Sequence, residues 1–294
     1  MTAKSDIIVV GAGPAGCAVA RAYALDGKKV VLLEAEAEGK SRKRFAGEWL
    51  HPQGVDALKS LGFDSITSMQ GRPQGRGFVV YPGHGELPVK LDYVEGQRGL
   101  AFHHGDLVDE MRQIVAQTEG VTFRYGVRVG SVDDQGVTLE SGERLEADRV
   151  VGADGRSSVV RRSLRGSGNH KAMSAMTGIL LEGVKAPYPD YGHVFLGKPS
   201  FLLGYEIAPS VVRICVDVPL KYKAEMKDPE WLIAAIRDTL PPVWRQPCEE
   251  QIRGGHLRWQ ANHFLARADY GNGRRVLIGD AAGHTHPLTA TGIT

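Results

Sequence analysis

DIIVVGAGPAGCAVARAYALDGKKVVLLE, from Asp6 to Glu34, is the stretch of sequence that decides the fold. It begins with an apolar, β-branched run and turns through glycines. It then continues with small and apolar residues at helical spacing and returns to a second apolar run. Neither run alternates apolar with polar residues, which is typical of parallel strands covered on both faces. The stretch therefore predicts a strand–helix–strand unit within a parallel sheet.

Three glycines in the turn, Gly11, Gly13 and Gly16, have the GxGxxG spacing of dinucleotide-binding turns. Glycine at these positions permits a tight turn, a close approach of the backbone to a diphosphate, and close packing of the helix on the strand. Glu34 ends the second run 23 residues after Gly11, where a carboxylate can accept hydrogen bonds from a ribose. The pattern predicts a dinucleotide site but does not distinguish NAD from FAD.

Two later apolar runs also end at an aspartate. VVGADGRSSVVRR contains Asp154 at its break, and RVLIGDAAGHTHPLTATGIT contains Asp280. A carboxylate at the end of a buried strand, or the amides that follow it, can contact a phosphate or a ribose. Around Asp154 a helix cap by Ser157 or Ser158, without any ligand, is an equal alternative.

The remaining segments predict a second, mainly antiparallel substructure. Helices are predicted at 54–61, at 105–117 and in EWLIAAIRDTL. VTFRYGVRVGSV, GVTLESGERLEA and DRVVGADG predict a β-meander that leads to a buried strand, and GILLEGV, HVFLGKPSFLLGYEIA and VVRICVDVP predict an antiparallel sheet. Because no linker separates independent modules, the two substructures are predicted to be interleaved.

Composition excludes several functional classes. The chain has 294 residues, 42% of them apolar, and a formal charge of +2, so no strong field attracts nucleic acid or an anionic membrane. No uncharged run reaches the ~20 residues of a membrane-spanning helix. Three widely spaced cysteines suggest neither a disulfide framework nor a zinc site, and a cytoplasmic location is predicted.

Several charged residues are weak site candidates on their own. His284 and His286 beside Asp280 have no convincing further ligand, so no metal site is predicted. Arg44 belongs to a basic run, and Arg112 follows an amphipathic turn; both are typical of solvated side chains.

The glycine turn, the ADG segment and GDAAG with HPLT occur in this order, and the combination resembles the group A flavoprotein monooxygenases over nearly the whole chain. RFAGEWLHPQG, GLAFHHGDLVDEMR, GHVFLGKPSFLLGYEIAPSVVRICVDVP and GDAAGHTHPLT most resemble the squalene epoxidases. The resemblance implies an α/β fold. A Rossmann-like FAD-binding domain, of the glutathione-reductase and p-hydroxybenzoate-hydroxylase type, would be interleaved with a mainly antiparallel β-sheet substrate domain. The implied FAD-binding segments are 1–76, 98–164 and 268–294, and the implied substrate-binding segments are 77–97 and 165–267.

The resemblance also implies FAD as the cofactor, with no catalytic side chain because the flavin performs the chemistry. The implied FAD contacts are Gly11, Gly13, Pro14, Ala15, Gly16, Glu34, Ala35, Arg44, Arg112, Val127, Asp154, Gly279, Asp280, Pro287, Thr291 and Gly292.

The activity implied by the resemblance is epoxidation of a double bond through a C4a-hydroperoxyflavin. Dioxygen is the co-substrate, and NAD(P)H supplies electrons directly or through a partner reductase. His51 stands where the family has a glutamine and Phe78 where it has a tyrosine, and both are expected in the substrate pocket. Their loss favours another apolar polyene, prenylated or polyketide-like substrate over squalene. Phe78 and the faces of FLLGYEI and RICVDV are expected to line a mostly hydrophobic cavity in the substrate pocket.

The family continues beyond the GD motif with helices that dock on membranes, whereas this sequence ends at Thr294. Either the region is absent or the protein continues further, and peripheral membrane contact follows only in the second case.

Three other functions are compatible with parts of this pattern. A flavin-dependent reductase of prenyl double bonds shares the fold and the apolar substrate. A flavin-binding protein without catalysis shares the cofactor site. A flavin halogenase is disfavoured because no WxWxIP segment occurs in the chain.

Overall fold

The structure is a computed structural model that describes residues 4–39, 48–68, 71–83, 86–165, 171–255, 257–267, 270–287 and 292. The strands of these ranges are β1 (Ser5–Val10), β2 (Val30–Leu33), β3 (Trp49–Leu50), β4 (Gln74–Gly75), β5 (Gly77–Tyr81), β6 (Val89–Asp92), β7 (Gly99–Ala101), β8 (Val121–Arg124), β9 (Val129–Asp133), β10 (Gly136–Leu139), β11 (Arg144–Gly152), β12 (Lys171–Glu182), β13 (Tyr191–Phe195), β14 (Leu202–Ala208), β15 (Val211–Pro219), β16 (Gln260–Phe264) and β17 (Arg275–Leu277). The α-helices are α1 (Pro14–Leu25), α2 (Pro52–Ser60), α3 (Asp64–Thr67), α4 (His104–Ala116), α5 (Val159–Arg165), α6 (Pro229–Ile236) and α7 (Pro242–Arg253).

A mostly parallel sheet forms the first layer, in the order β8-β2-β1-β11-β10-β9, with β17 also paired to β11. Strands β8, β2, β1, β11 and β17 are parallel. Ile7 and Val9 of β1 pack in the core beneath α1 and α4, whereas Ile8 and Val10 pack in the core on the opposite face. Burial on both faces explains why this strand is continuously apolar, and it confirms the predicted strand–helix–strand unit.

The predicted meander is right for β9, β10 and β11 but wrong for β8. Strand β8 pairs with β2 and extends the parallel sheet. The segments ERLEA and DRVV are one strand, β11, rather than two. Its first half pairs with antiparallel β10 and its second half lies between parallel β1 and β17, so an alternating pattern is followed by a continuously apolar one.

The second layer is a sheet in the order β16-β12-β15-β14-β13-β5-β6, antiparallel except for the β13–β5 pair. Alternate residues of β15 face opposite sides. Val212, Ile214, Val216 and Val218 pack against α6 and α7. Residues 211, 213, 215 and 217 therefore point to the opposite face of the second sheet, away from α6 and α7 and towards the parallel sheet.

Helix α7 was missed in the sequence because PP at residues 241–242 indicates a break. Pro242 is instead the first residue of the helix, where its missing N–H costs nothing. In the described part of the chain, no helix is long and apolar enough to cross a membrane.

A small third sheet, β3-β7-β4, lies between the other two. Trp49 and Ala101 from this sheet are buried together with Leu203, Tyr205 and Cys215 from the second sheet. This apolar cluster joins the third sheet to the second, while Leu50 and Leu100 of the third sheet pack in the core of the parallel sheet.

Candidate functional site

The predicted motifs meet at the carboxyl edge of the parallel sheet. Gly11 follows β1, Glu34 follows β2, Asp154 follows β11, and Asp280 follows β17. Because these strands are neighbours and parallel, their ends lie side by side. Ligands of open α/β sheets bind in the crevice beyond this edge.

The glycine turn leaves an open space in front of α1. Gly11 has φ +97°, and a Cβ on it would lie 2.6 Å from the carbonyl oxygen of Ala153. A Cβ on Gly16 would lie 1.8 Å from the carbonyl oxygen of Gly11. A Cβ on Gly13 would meet nothing within 4 Å. The outer two glycines are therefore required by packing, whereas the middle one keeps the helix N-terminus accessible to a ligand.

The turn at Gly279 packs directly against the start of α1. Gly279 has φ +55°, and a Cβ on it would lie 3.0 Å from the Cβ of Ala15, the second residue of α1 after Pro14. The following carboxylate, Asp280, is about one-third exposed and accepts a 3.3 Å hydrogen bond from the Nε of Arg156. The first and last cofactor motifs are thus in contact, although they are far apart in sequence.

Glu34 and Arg112 form a buried ion pair beside the glycine turn. Arg112 Nη2 lies 2.8 Å from Glu34 Oε2, and Arg112 Nε donates to the carbonyl of Ala12 at 2.8 Å. The amides of Ala12 and Glu36 donate to the two Glu34 oxygens, each at 2.9 Å. Arg112 is only 3% exposed, so its interpretation as a solvated side chain is wrong.

This ion pair retains capacity for a ligand. Arg112 Nη1 is buried and has no hydrogen-bond partner among the described residues. A carboxylate has about four acceptor positions, and the contacts above use three of those on Glu34.

The end of β8 adds to the same edge. The amide of Val127 donates to the carbonyl of Glu34 at 2.8 Å, and Ala35 is exposed beside it. The ring of Tyr125 stacks on Phe123 at 4.1 Å and lies 5.9 Å from the Arg112 guanidinium. Burial raises the pKa of Tyr125 to about 12, so its hydroxyl remains protonated. Tyr125 was not predicted, because no sequence motif contains it.

Asp154 itself caps the helix that follows it. Its Oδ2 accepts from the amide of Val159 at 2.6 Å, while Ser158 Oγ accepts from the amide of Arg161 at 2.9 Å. The expected serine contact therefore exists, but the aspartate shares the capping role. Its other oxygen, Oδ1, is buried without a hydrogen-bond partner in the described structure. An orphaned buried oxygen of this kind is suited to a donor from a ligand.

The remaining predicted positions are less defined. Arg44 and Thr291 lie outside the described residues. Pro287 is half-buried, and Gly292 is exposed with nothing within 4 Å of a Cβ built on it. Across the described ranges, no group of three His, Cys, Asp or Glu side chains is placed to hold a metal ion. His286 instead contacts Ser174 and Asp217 of the second sheet.

The two predicted pocket residues are neighbours, and a third residue joins them. The rings of His51 and Phe78 are 5.8 Å apart. Trp49 Nε1 donates to the hydroxyl oxygen of Tyr93 at 3.0 Å, and that oxygen lies 2.6 Å from His51 Nδ1. Burial raises the pKa of Tyr93, so the hydroxyl keeps its proton. Tyr93 was not predicted because no motif contains it; it directly follows β6, the strand that pairs with β5.

One side of the second sheet carries an apolar cluster that includes several of the residues predicted to line the substrate pocket. Its buried members are Trp49, Ala101, Met176, Leu203, Tyr205, Ile207 and Cys215, and its half-buried members are Phe78, Tyr93, Leu180, Val194, Phe201 and Val211. Two charged residues on the same side of β15 depart from the prediction. Arg213 forms a buried ion pair with Glu48 at 2.9 and 3.0 Å, and Asp217 contacts His286.

Comparisons with known proteins agree with this geometry. Residues 4–293 match the protein family described as FAD binding domain. Squalene epoxidase 3 of Arabidopsis thaliana is 30% identical over 312 residues, which cover 100% of this chain and 59% of that protein. Squalene epoxidase ERG1 of Saccharomyces cerevisiae is 30% identical over 339 residues, covering 100% of this chain and 67% of that protein. Among solved structures, PqsL from Pseudomonas aeruginosa matches with a TM-score of 0.79 at 19% identity, covering 99% of this chain and 82% of that one.

The fold and the carboxyl edge define a flavoprotein, and the chain belongs to the FAD-binding-domain family of group A flavoprotein monooxygenases. Within that family it is a relative of the squalene epoxidases. The family and the fold class predicted from the sequence are thereby confirmed. The chain spans between 59% and 67% of the length of the two squalene epoxidases named.

Proposed function

We propose that this protein is a FAD-dependent monooxygenase that epoxidises a double bond of an apolar polyene, prenylated or polyketide-like substrate. The main support is the convergence of the glycine turn, the Glu34–Arg112 pair, Asp154 and Asp280 on one sheet edge. The apolar face of the second sheet packs on Trp49 of the third sheet, and Leu50 beside Trp49 packs in the core of the layer that carries this edge.

The residues of the edge fit FAD part by part. The space in front of Gly13 suits a diphosphate, which the N-terminus of α1 would bind through its amides. Glu34, oriented by Arg112, would accept from the ribose hydroxyls. Asp280 would accept from the ribitol, and the orphaned Asp154 Oδ1 provides a further acceptor. FAD, when bound, supplies the redox and oxygen-activating chemistry.

The protein's own contribution is to bind, orient and exclude water. Phe78, Leu180 and Phe201 are half-buried on the apolar side of the second sheet, where a hydrocarbon chain would lie. Such a surface keeps water away from a reactive oxygen species. The Tyr93 hydroxyl and the His51 imidazole are polar groups within this otherwise apolar surface. They would orient a substrate that also carries an oxygen by hydrogen bonding to it.

Electrons would come from NAD(P)H, with dioxygen as the co-substrate. The chain has one GxGxxG turn, at Gly11, and we assign it to FAD. Reduction by NAD(P)H would therefore use a transient complex at the flavin or a partner reductase.

Product analysis under labelled dioxygen tests the proposed activity. The protein, reconstituted with FAD, is supplied with NAD(P)H, with and without a general flavoprotein reductase. A panel of polyenes, prenylated phenols and polyketides is included, and products are analysed by mass spectrometry. The expected product gains one atom of labelled oxygen. A product that gains two hydrogens without oxygen would replace the proposal with a double-bond reductase.

A second outcome would overturn the proposal differently. If the protein binds FAD but oxidises no NAD(P)H with any substrate or reductase, it is a flavin-binding protein without this catalysis. Oxidation of NAD(P)H that releases only peroxide with every substrate would also contradict epoxidation of the tested classes.

A further inference from the structure

The segment that precedes Pro287 is attached to the second sheet through a buried polar group. Asp217 lies on the side of β15 that faces the parallel layer, and it is only 2% exposed. His286, the residue immediately before Pro287, places its Nε2 3.3 Å from Asp217 Oδ1 and 3.0 Å from Ser174 Oγ. The ring of Phe201 packs against the imidazole at 5.3 Å.

Every described contact of the Asp217 carboxylate is with a donor. Its Oδ1 accepts from the Ser174 hydroxyl and, at 3.0 Å, from Asn262 Nδ2. Its Oδ2 accepts from Ser200 Oγ at 3.1 Å. Burying a charge without such partners is costly, so this arrangement is specific for a carboxylate at position 217.

The donor count also determines which nitrogen of His286 carries a proton. The single hydroxyl proton of Ser174 is used on Asp217, and Ser174 Oγ also accepts from Asn262 at 3.1 Å. Ser174 therefore has no proton left for His286, and the carboxylate has none to give. Consequently, Nε2 of His286 is the donor to both groups, and the neutral imidazole carries its lone pair on Nδ1.

We propose that Asp217 is a positioning residue for the cofactor. Together with Ser174, it fixes the tautomer and orientation of His286. His286 in turn holds the chain leading into Pro287 against the substrate sheet. The proposal rests on the proposed binding of FAD at the carboxyl edge, and it makes the second sheet part of the cofactor site. Residues of the substrate sheet would then influence how tightly FAD is bound.

A matched pair of substitutions at position 286 separates positioning from general packing. In His286→Gln the amide nitrogen can take the place of Nε2 and donate to Asp217, whereas in His286→Asn the shorter side chain cannot reach. Because a hydrogen bond to a charged group is lost, we expect His286→Asn to weaken FAD binding roughly tenfold. We expect His286→Gln to remain within about threefold of the wild type. Ser200→Ala serves as a control, since it removes a contact to the other carboxylate oxygen only.

FAD affinity is measured by quenching of flavin fluorescence, and the imidazole nitrogens are assigned by NMR in the FAD-free protein. We expect the Nε2-protonated form of neutral His286 in the wild type and a loss of that preference in Asp217→Ala, which removes the acceptor of Nε2 and frees the Ser174 hydroxyl proton. Equal affinities of the Gln and Asn variants, or a neutral His286 protonated on Nδ1, would overturn the proposal. If the wild type binds no FAD, the proposed function fails instead, and the NMR result still tests the role of Asp217. Should the Asn variant not fold, the NMR comparison decides alone.

Discussion

At the scale of single residues, the cofactor edge consists of groups whose roles depend on partners distant in sequence. Glu34 could be predicted because a carboxylate at the end of the second strand is part of a local pattern. The burial of Arg112 could not be derived from its own neighbourhood. It depends on α4 packing beside α1, which brings its guanidinium to Glu34 and Ala12. Only the family resemblance indicated its role.

Asp280 is the residue whose substitution should most selectively reduce FAD binding. Its carboxylate is about one-third exposed, so its removal leaves no buried cavity. We expect Asp280→Ala to weaken FAD binding by about 10- to 100-fold, because a hydrogen bond to a charged group contributes roughly 1.5–3 kcal/mol. Isothermal titration of the FAD-free protein measures this loss directly.

A carboxylate at the other end of the same sheet provides the control for Asp280. Asp148 lies at an exposed site on β11 and pairs with Lys4, away from the carboxyl edge. Asp148→Ala should therefore leave FAD affinity unchanged. Equal affinity of Asp280→Ala and the wild type would remove Asp280 from the cofactor site.

At the scale of elements, the sequence predicts the strands and helices whose apolar pattern arises from packing against neighbouring segments of the chain. Strand β1 and helix α1 form a unit of adjacent chain, and their pattern reflects burial on both faces. Strand β8 was assigned to the wrong partner because its short alternating pattern contains no information about which strand lies beside it. Helix α7 was missed because a proline pair both breaks helices and starts them.

His193 on β13 should make the stability of the second sheet depend on pH. The side chain is fully buried, its Nε2 accepts from the amide of Tyr188 at 3.2 Å, and its Nδ1 lies 3.3 Å from the carbonyl oxygen of Gly204. Burial lowers the pKa of His193 from 6.5 to about 4. In the unfolded chain His193 therefore becomes protonated near pH 6.5, whereas in the folded protein it stays neutral until about pH 4. The free energy of unfolding consequently falls as the pH drops through this window.

Urea unfolding at two pH values measures this effect. Between pH 7.5 and pH 5 we expect the contribution of His193 to fall by about 2 kcal/mol. His193→Gln keeps a polar side chain without this titration, so its stability should decline less over the same interval. Identical declines for the variant and the wild type would show that His193 does not titrate as its burial requires.

At the scale of the whole molecule, the layers of the structure are joined in part by a buried ion pair that links the residue before β3 of the third sheet to β15 of the second. Glu48 is fully buried and binds Arg213 of β15 through two hydrogen bonds. Burial alone would lower the pKa of Arg213, but the hydrogen bonds that Arg213 donates to Glu48 and the negative charge of Glu48 outweigh it, and the pKa lies above its usual value. The sequence showed Arg213 and Asp217 only as interruptions of an apolar strand. Their partners lie far away in the sequence, such as Glu48 for Arg213 and His286 for Asp217, so their roles require the complete fold.

Breaking the Glu48–Arg213 pair should destabilise the folded protein as a whole. Glu48→Gln leaves a buried guanidinium without its counter-charge, and we expect a loss of about 3 kcal/mol in the free energy of unfolding. Denaturant unfolding measures it. Glu230→Gln is the control, because its pair with Arg253 is exposed and should contribute little. Similar stabilities of the two variants would mean that the Glu48 pair does not join the layers.

The central claim is that the carboxyl edge of the parallel sheet binds FAD, and the glycine turn allows the most direct test. A Cβ on Gly13 meets no atom within 4 Å, whereas a Cβ on Gly16 would lie 1.8 Å from the carbonyl oxygen of Gly11. Gly13→Ala should therefore fold normally yet obstruct the diphosphate, while Gly16→Ala should destabilise the protein itself.

The decisive measurement is FAD affinity together with thermal unfolding of the FAD-free protein, for the wild type and Gly13→Ala. We expect one FAD per wild-type chain. For Gly13→Ala we expect an unchanged unfolding temperature without FAD and an affinity at least about tenfold weaker, equivalent to roughly 1.4 kcal/mol. Equal FAD affinity in the two proteins, or no binding by the wild type, would contradict the claim.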